Sequence, residues 1–215
     1  MSAKKTAQPP SQPALSPTNE RNRQELITGA QQVLAKIGPS ATIEQISEMV
    51  EVSPTTIYKY FENKDQLFIA ALGDMWHSWV SWSFAQTTAK DDLAAVIDTA
   101  RSIFRIKQTH PHFAQVLHNT MKAFPDFFLK SDEGTAKRVF SELAAAGKVD
   151  GEDFDQRYEL WATMYSGLLV AVHVSEVFSP TEADVALGIA LSVWGISGAK
   201  AKKLISRPLN LSPVK

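Results

Sequence analysis

Residues 42–64 contain three helix starts within about twenty residues, and this spacing leaves little choice of local fold. Thr42 and Gln45 have the spacing of a capping box, and Ser53 precedes a proline that suits a first helical position. Asn63 repeats the Thr42 pattern, with a glutamine three residues later. Two short helices and the start of a third therefore follow one another with tight turns between them. Helices this short cannot form a core alone, so neighbouring helices must hold them.

The second of these helices pairs one apolar face with several polar ones. Ile57 and Phe61 share a face. The groups on the other faces are Thr55, Thr56, Lys59 and Tyr60. A helix about 10 to 12 Å across fits the major groove of DNA, where hydroxyl and amine groups reach base edges and phosphates. The pattern is typical of a helix-turn-helix, which places its second helix in that groove.

The run VSPTTIYKYFENKDQL, preceded by TIEQISEMV and by a helix that ends in KIG, closely resembles the N-terminal DNA-binding domain of TetR-type (TetR/AcrR) transcriptional regulators. The resemblance covers roughly Glu20 to Leu72, about a quarter of the chain. It implies an all-α protein, with an N-terminal three-helix helix-turn-helix DNA-binding domain and a larger helical ligand-binding and dimerisation domain. It also implies a transcriptional regulator, with a repressor as the first expectation.

The resemblance assigns DNA contacts by position. Thr42 would cap the first helix of the motif and contact phosphate, and Lys64 would meet a backbone phosphate at the start of the following helix. The residues expected to face base edges are Pro54, Thr55, Lys59 and Tyr60. The residues expected to face phosphates are Ser53, Thr56 and Tyr58.

Three positions depart from the pattern of the family. The family usually has glycine in the turn where this chain has Glu51, and commonly has glycine where this chain has Thr55. It often has alanine where Ser47 stands, and serine is small enough to keep the helix contact. Glu51 therefore places a side chain and a negative charge at a turn that lies near DNA.

Composition bears on other classes of protein. The chain has 215 residues and no cysteine, so neither a disulfide nor a thiolate metal site is available. Residues 1–19 lack the apolar core of a signal peptide, and the uncharged runs 160–175 and 185–199 fall short of the roughly 20 apolar residues of a membrane span. We therefore expect a cytoplasmic protein with no membrane partner. Charges nearly balance through residue 64, so DNA affinity should depend on placed contacts.

The order of the patterns predicts domain limits. Residues 1–18 are rich in proline and poor in large apolar groups, which predicts a disordered arm that is either solvated or reaches DNA through Lys4 and Lys5. Residues 19–64 form the predicted helix-turn-helix domain and residues 65–207 the effector-binding and dimerisation domain. Residues 208–215 form a tail. The helix that follows Asn63 has no stop signal until about Thr87, so it should join the two domains.

Two apolar segments near the C-terminus predict a homodimer. A predicted helix over residues 154–177 is apolar on nearly every side from Leu160 to Val174, and Ser179 caps a second helix that reaches Trp194. A helix that is apolar all round must be covered on all sides. A partner subunit in a twofold four-helix bundle would cover both, and a twofold dimer suits a palindromic operator in double-stranded DNA. A monomer with a large core is the alternative.

The body of the protein, residues 65–207, is rich in aromatic side chains, which suggests a pocket for a small apolar or aromatic effector. The candidate effector-binding residues are Trp79, Trp82, Phe104, Phe113, Leu117, Met121, Phe124, Phe128, Trp161 and Tyr165. Ordinary core packing is the alternative interpretation of each. No cofactor is expected.

Neither a metal centre nor a catalytic site is predicted. His110 and His112 flank a proline, with no second ligand pair at helical spacing nearby. Ser166 lies in an apolar helix, away from any nucleophile elbow, and Gly-rich phosphate loops are absent. Two other classes stay open. One is a helix-turn-helix regulator that is controlled by a protein partner, or that acts as an activator, without a small-molecule pocket. The other is an enzyme that carries a helix-turn-helix domain of this kind.

Overall fold

The regular elements of the protein are helices throughout the described part of a computed structural model, residues 16–124, 127 and 133–212. The predicted all-α class is therefore confirmed. The α-helices are α1 Pro17–Lys36, α2 Ile43–Met49, α3 Pro54–Tyr60, α4 Lys64–Gln86, α5 Asp92–Ser102, α6 Ile106–Thr109, α7 Pro111–Thr120, α8 Glu133–Ala145, α9 Phe154–His173, α10 Pro180–Ala190 and α11 Gly198–Ile205. Short 3-10 segments follow α5 at Ile103–Arg105 and α10 at Leu191–Trp194.

The first helix begins two residues earlier than the sequence pattern suggested. The Ser16 hydroxyl accepts a hydrogen bond from the Asn19 N–H at 3.4 Å, and Pro17 takes the first helical position. Residues 17 and 18 of the predicted arm are thus helical, and residues 1–15, with Lys4 and Lys5, lie outside the described residues.

The buried stripe of α1 agrees with the sequence pattern apart from its last member. Helical spacing predicts a stripe of Leu26, Ile27, Ala30, Val33, Leu34 and Ile37. Leu26, Ile27, Ala30, Val33 and Leu34 are all buried, as helical spacing requires. Ile37 was expected to complete the stripe but is 38% exposed, because the helix ends at Lys36 and the chain turns away at a glycine with a φ of 87°.

The end of α1 is completed by a residue of the body. The Asn119 side-chain amide, on α7, donates to the carbonyls of Leu34 and Ala35 at 2.9 and 3.1 Å. Carbonyls in the last turn of a helix have no partner within the helix. The DNA-binding head, which comprises α1, α2 and α3, is therefore attached to the body at this end of α1, in addition to the connection through α4.

The turn between α2 and α3 keeps its shape without a glycine. Glu51 has a φ of 55°, in the left-handed region that glycine normally supplies. A glycine on α1 makes room for this turn, since a Cβ at Gly29 would lie 1.9 Å from Cγ1 of Val50. Glu51 thus keeps the geometry of the turn, and it does so with a strained backbone.

The long helix α4 connects the head to the body, as the missing stop signal suggested. The Asn63 side chain accepts a hydrogen bond from the Gln66 N–H at 2.9 Å and so caps the helix. The Gln66 side chain accepts from the Glu62 N–H instead of closing a full capping box on Asn63. The 23 residues of α4 span about 35 Å at 1.5 Å per residue.

The body departs from the sequence pattern in two helices. The spacing of Leu93, Val96, Ile97, Ala100, Ile103 and Phe104 predicts one helix, and residues 154–177 predict another. The helix that begins at Asp92 ends at Ser102, whose hydroxyl donates to the Thr99 carbonyl at 2.8 Å and so competes with the helical ladder. The first apolar C-terminal helix ends at His173, four residues short of Val177, because Glu176 takes a φ of 53°. The sequence also predicts a short aromatic segment that begins at Pro125, and this segment lies outside the described residues, apart from Phe127.

A buried network of charges ties the body together. Asp98 and Arg101 of α5 are 3.5 Å apart, and Asp184 of α10 binds Arg101 at 3.1 Å and Arg105 at 2.5 Å. Arg207, beyond α11, reaches Asp98 at 3.4 Å. The side chains of Asp98, Arg101 and Asp184 are at most 7% exposed. The network therefore joins α5, α10 and the C-terminal segment inside the protein.

Candidate nucleic-acid interface

The helix α3 presents its polar residues outward and buries one side chain against the head. Ile57 is fully buried, and Phe61 just after the helix is 4% exposed. The outward positions with exposed side chains are Ser53, Pro54, Thr55, Tyr58 and Lys59. Thr56, Tyr60 and Lys64 are half-buried, and Thr42 is exposed at the start of α2. The residues assigned to DNA thus lie together on and around α3.

Two hydroxyl groups fix the starts of the motif helices. The Ser53 oxygen accepts from the Thr56 N–H at 3.2 Å and shares a hydrogen bond with the Thr56 hydroxyl at 2.9 Å. At α2 the Thr42 hydroxyl accepts from the Gln45 N–H at 3.3 Å, and the Gln45 side chain accepts from the Thr42 N–H at 2.9 Å. The predicted capping box at Thr42 is present in full.

A carboxylate lies beside the predicted phosphate contact at Thr42. Hydrogen bonds from its own backbone N–H and from the Thr42 hydroxyl lower the pKa of Glu44. The carboxylate therefore stays charged, and it competes with a phosphate for the Thr42 hydroxyl hydrogen. Glu48, Glu51 and Glu62 are exposed on the same small domain. Attraction to phosphate is consequently local rather than a property of the whole surface.

Two of the expected DNA contacts already have partners within the protein. The Lys64 ammonium donates to the Pro39 carbonyl at 3.0 Å, which leaves two of its three hydrogens for a phosphate. The Tyr60 hydroxyl donates to Asn19 at 3.2 Å and accepts from Asn22 at 3.3 Å. Lys64 can still contact the DNA backbone, whereas the hydroxyl of Tyr60 is turned towards α1.

Sequence reasoning missed the residues of α1 that support α3. Asn19, Asn22 and Arg23 lie on one helical face, and the Arg23 guanidinium is 5.0 Å from the Phe61 ring centroid. The spacing of i, i+3 and i+4 was visible in the sequence. It carried no information about which element would pack against that face.

The candidate effector residues fall into separate aromatic groups. Trp76 of α4 contacts Trp79 and Phe113, at centroid distances of 5.4 and 6.4 Å. Around α9, Tyr165 contacts Phe104 at 6.1 Å and stacks on Trp161 at 5.9 Å. The buried candidates are Trp79, Phe104, Phe113, Leu117, Met121 and Trp161. Trp82, Phe124 and Tyr165 are half-buried, and Phe128 lies outside the described residues.

Three open cavities lie away from these aromatic groups. One of about 280 Å³ is bordered by Lys107, His118 and Glu176. Cavities of about 360 and 500 Å³ lie along α10, and both are lined by Ile189. None of these three cavities is lined by a candidate effector residue. The effector pocket therefore stays a prediction from the sequence.

Two histidines of the body contact each other, since Nδ1 of His118 donates to the backbone carbonyl of His173 at 2.8 Å. His110 lies edge-on against Trp82 with centroids 4.5 Å apart, and burial lowers its pKa. Within residues 16–124, 127 and 133–212, no three His, Asp or Glu side chains gather as a potential metal site. In the same ranges no helix is long and apolar enough to cross a membrane.

Two short helices, the second of which presents Ser, Thr, Tyr and Lys side chains, are joined by α4 to a helical body. This is the architecture of a helix-turn-helix DNA-binding protein. Residues 26–71 match the family described as bacterial regulatory proteins, tetR family. Over these residues, which contain both helices of the motif, the chain is similar to TetR-family regulators.

A curated relative and several solved structures are similar to the chain. The HTH-type transcriptional repressor NicS of Pseudomonas putida is 29% identical over 142 residues, which are 61% of this chain and 66% of NicS. The alignment thus spans just under two thirds of that relative. RolR with resorcinol bound has a TM-score of 0.65 at 20% identity, covering 91% of this chain and 98% of RolR. The regulator FadR of Bacillus halodurans has a TM-score of 0.56 at 18% identity, covering 85% of this chain and 97% of FadR.

Proposed function

We propose that the protein is a ligand-responsive repressor that binds a palindromic operator as a homodimer in the cytoplasm. The similarity to the repressor NicS supports repression, and the resorcinol bound to RolR supports a small aromatic effector. Residues 19–64, extended by the first turn of α1, act as the DNA-binding domain, and residues 65–207 act as the effector-binding and dimerisation domain.

An exposed apolar face supports the homodimer. The side chains of Leu160, Val177, Val185 and Ile189 are 52% to 69% exposed, and they lie on or beside α9 and α10. Large exposed apolar side chains on neighbouring helices are typical of a subunit interface. Two copies that pair these helices form a twofold four-helix bundle and set the recognition helices about 34 to 36 Å apart, one turn of DNA.

The observation that carries the proposed ligand response is the position of α4. Its N-terminal end borders the motif through Lys64, and in its middle Trp76 contacts Trp79 and Phe113 of α7. A small aromatic ligand that inserts among these rings displaces α4 and changes the spacing of the two heads. The ligand shifts the equilibrium only as far as its affinities for the two states differ, by about tenfold for each 1.4 kcal/mol.

The test combines thermal unfolding with DNA release. The full-length protein is heated with a panel of small aromatic compounds, resorcinol among them, because a ligand that binds the folded state raises the unfolding midpoint. We expect at least one compound to raise the midpoint in a concentration-dependent way and to release a bound operator duplex. Trp79→Ala should lower the affinity for that compound. Comparison with the matched variant Trp161→Ala shows whether the compound binds in the aromatic group of α4 or in that of α9.

The packing of the aromatic groups favours one alternative. Because these rings pack against one another and the three cavities lie elsewhere, a regulator with a solid body that responds to a protein partner, or an activator, is the second candidate. No shift with any compound, together with intact operator binding, would favour that candidate over ligand control.

A further inference from the structure

The recognition helix α3 is too short to fix its own direction. It has seven residues, and Ile57 is the one that it buries. A helix of about two turns is not stable alone in water. Its orientation in a DNA groove therefore depends on contacts that neighbouring helices make at its two ends.

One face of α1 holds the C-terminal end of α3. The Tyr60 hydroxyl donates to Oδ1 of Asn19 at 3.2 Å and accepts from Nδ2 of Asn22 at 3.3 Å. Beside this pair, the Arg23 guanidinium covers the ring of Phe61 at 5.0 Å. Two successive residues at the end of the recognition helix are thus held by three residues of a single helical face.

The hydrogen bonds of Tyr60 restrict what it can do on DNA. A phenol has one hydrogen to donate, and Asn19 receives it. Phosphate oxygens and the carbonyl and ring-nitrogen acceptors of bases cannot donate a hydrogen bond, so contact with any of them requires the bond to Asn19 to break. Thr55 and Lys59 lie on the same short helix with exposed side chains that can reach base edges.

We propose that Tyr60 is a positioning residue whose hydroxyl holds the recognition helix to α1, with Asn19 and Asn22 as its partners. In this role Tyr60 does not read bases, and base reading falls to Thr55 and Lys59. The inference rests on the proposed binding of operator DNA by the head.

The contact also connects the recognition helix to the rest of the protein. Gln24 and Gln31 of α1 donate to the Asp74 carboxylate of α4 at 3.0 and 2.8 Å. The 20 residues of α1 form a rod about 30 Å long. A displacement of α4 therefore reaches the end of the recognition helix through α1 and the hydroxyl of Tyr60.

The experiment is a double-mutant cycle on DNA affinity. The full-length protein first enriches a duplex from a random-sequence pool, and affinities are measured for this duplex and for an unselected duplex of equal length. Tyr60→Phe removes only the hydroxyl and should weaken binding to both duplexes by the same factor, about fivefold. Repeated enrichment with this variant should return the same preferred sequence.

The partner residues supply the second arm of the cycle. Replacing both asparagines, Asn19→Ala with Asn22→Ala, should weaken binding by a similar factor. Adding Tyr60→Phe to that pair should cost almost nothing further, since the same hydrogen bonds are already lost. Tyr58→Phe is the matched control, because its side chain is 54% exposed and its hydroxyl has no hydrogen bond within the described chain. The factors by which Tyr58→Phe and the asparagine pair each weaken DNA binding should multiply when the changes are combined, as expected for independent sites.

Three results would overturn the positioning role. They are a changed base preference in Tyr60→Phe, effects that multiply between Tyr60→Phe and the asparagine pair, and coupling in DNA-free thermal unfolding with unchanged DNA affinity. Failure of the unaltered protein to enrich any duplex would instead refute operator binding itself.

Discussion

Glu51 is held in a conformation that costs free energy at the turn of the DNA-binding motif. Its φ of 55° is left-handed, which costs a residue with a Cβ about 1 to 2 kcal/mol. Glycine removes that strain but loses more entropy on folding. We expect Glu51→Gly to raise the free energy of unfolding by roughly 0.5 to 1 kcal/mol, measured by urea denaturation.

The control for this prediction separates backbone strain from charge. Glu51→Ala removes the carboxylate but keeps the Cβ, so it should not stabilise the protein. Equal stabilisation by alanine and glycine would show that the negative charge, and not the left-handed backbone, is the destabilising feature. Because the proposed function brings this turn close to phosphates, both variants should also bind DNA at least as tightly as the unaltered protein.

His173 makes the stability of the body sensitive to acid. It is fully buried, and neither ring nitrogen has a hydrogen bond of good geometry within the described residues. Burial lowers its pKa from 6.5 to about 4, against a smaller opposite effect of the Ile103 carbonyl. Because the unfolded chain binds the proton more readily, the stability from the neutral ring is full above pH 6.5 and decreases as the pH falls towards 4.

The pH dependence can be measured against a variant that does not titrate. Between about pH 7.5 and pH 5, the group should reduce the free energy of unfolding by about 2 kcal/mol. His173→Leu, which fills a similar volume, should lose that part of the pH dependence. His77→Gln, at an exposed position, should keep it. An unchanged profile in His173→Leu would assign the acid sensitivity to other groups.

Among single residues, the sequence predicted those whose role depends on residues close by in the chain. The caps at Thr42, Ser53 and Ser179 follow from backbone groups that a helix start leaves unpaired, so a few residues suffice to predict them. The partners of Tyr60 on α1 come from distant sequence. No local pattern contains them.

Between elements, the most consequential contact is the buried charge network that joins α5, α10 and the C-terminal segment. Asp184 faces two guanidinium groups, those of Arg101 and Arg105. Asp184→Asn keeps the shape of the side chain but removes the carboxylate that both guanidinium groups share, so that Arg101 keeps only the carboxylate of Asp98, 3.5 Å away. We expect a loss of about 3 to 5 kcal/mol in the free energy of unfolding, measured by urea denaturation.

An exposed ion pair provides the comparison. Arg138 and Glu142 of α8 are 2.7 Å apart, and both side chains are 62% exposed. Glu142→Gln should therefore cost less than about 0.5 kcal/mol. A similarly small loss in Asp184→Asn would mean that solvent reaches the network and screens its charges.

The elements show where sequence patterns stop being sufficient. Continuous apolar periodicity predicted one helix from Leu93 to Phe104, but the Ser102 hydroxyl bonds back to Thr99 and the chain tightens into a 3-10 segment. The charges of the network look like solvated surface residues in the sequence, because their partners are up to 109 residues apart. Periodicity reports which face is apolar and carries no information about distant partners.

For the whole molecule, the apolar face of α9 and α10 predicts a dimer, and a single charged substitution on that face should dissociate it. Ile189 is 69% exposed and borders both large cavities along α10. Ile189→Asp buries an unpaired carboxylate in any interface formed by this face. Sedimentation equilibrium should find the variant at the mass of one chain and the unaltered protein at twice that mass.

The control for the dimer keeps the same substitution on another surface. Ile69 of α4 is 45% exposed and borders neither of those cavities, so Ile69→Asp should remain dimeric. The monomeric variant should also lose high affinity for a palindromic duplex while retaining weak binding to a half-site. A dimeric Ile189→Asp would place the subunit contact on a different face.

The amide of Asn119 has a consequence for protein engineering. Because a residue of the body supplies the hydrogen bonds that complete the last turn of α1, the DNA-binding head is not a self-contained cassette. A chimaera that joins this head to the body of another regulator would leave the Leu34 and Ala35 carbonyls without that donor. A working exchange of DNA specificity between relatives therefore requires the asparagine of α7 to be transferred together with the head.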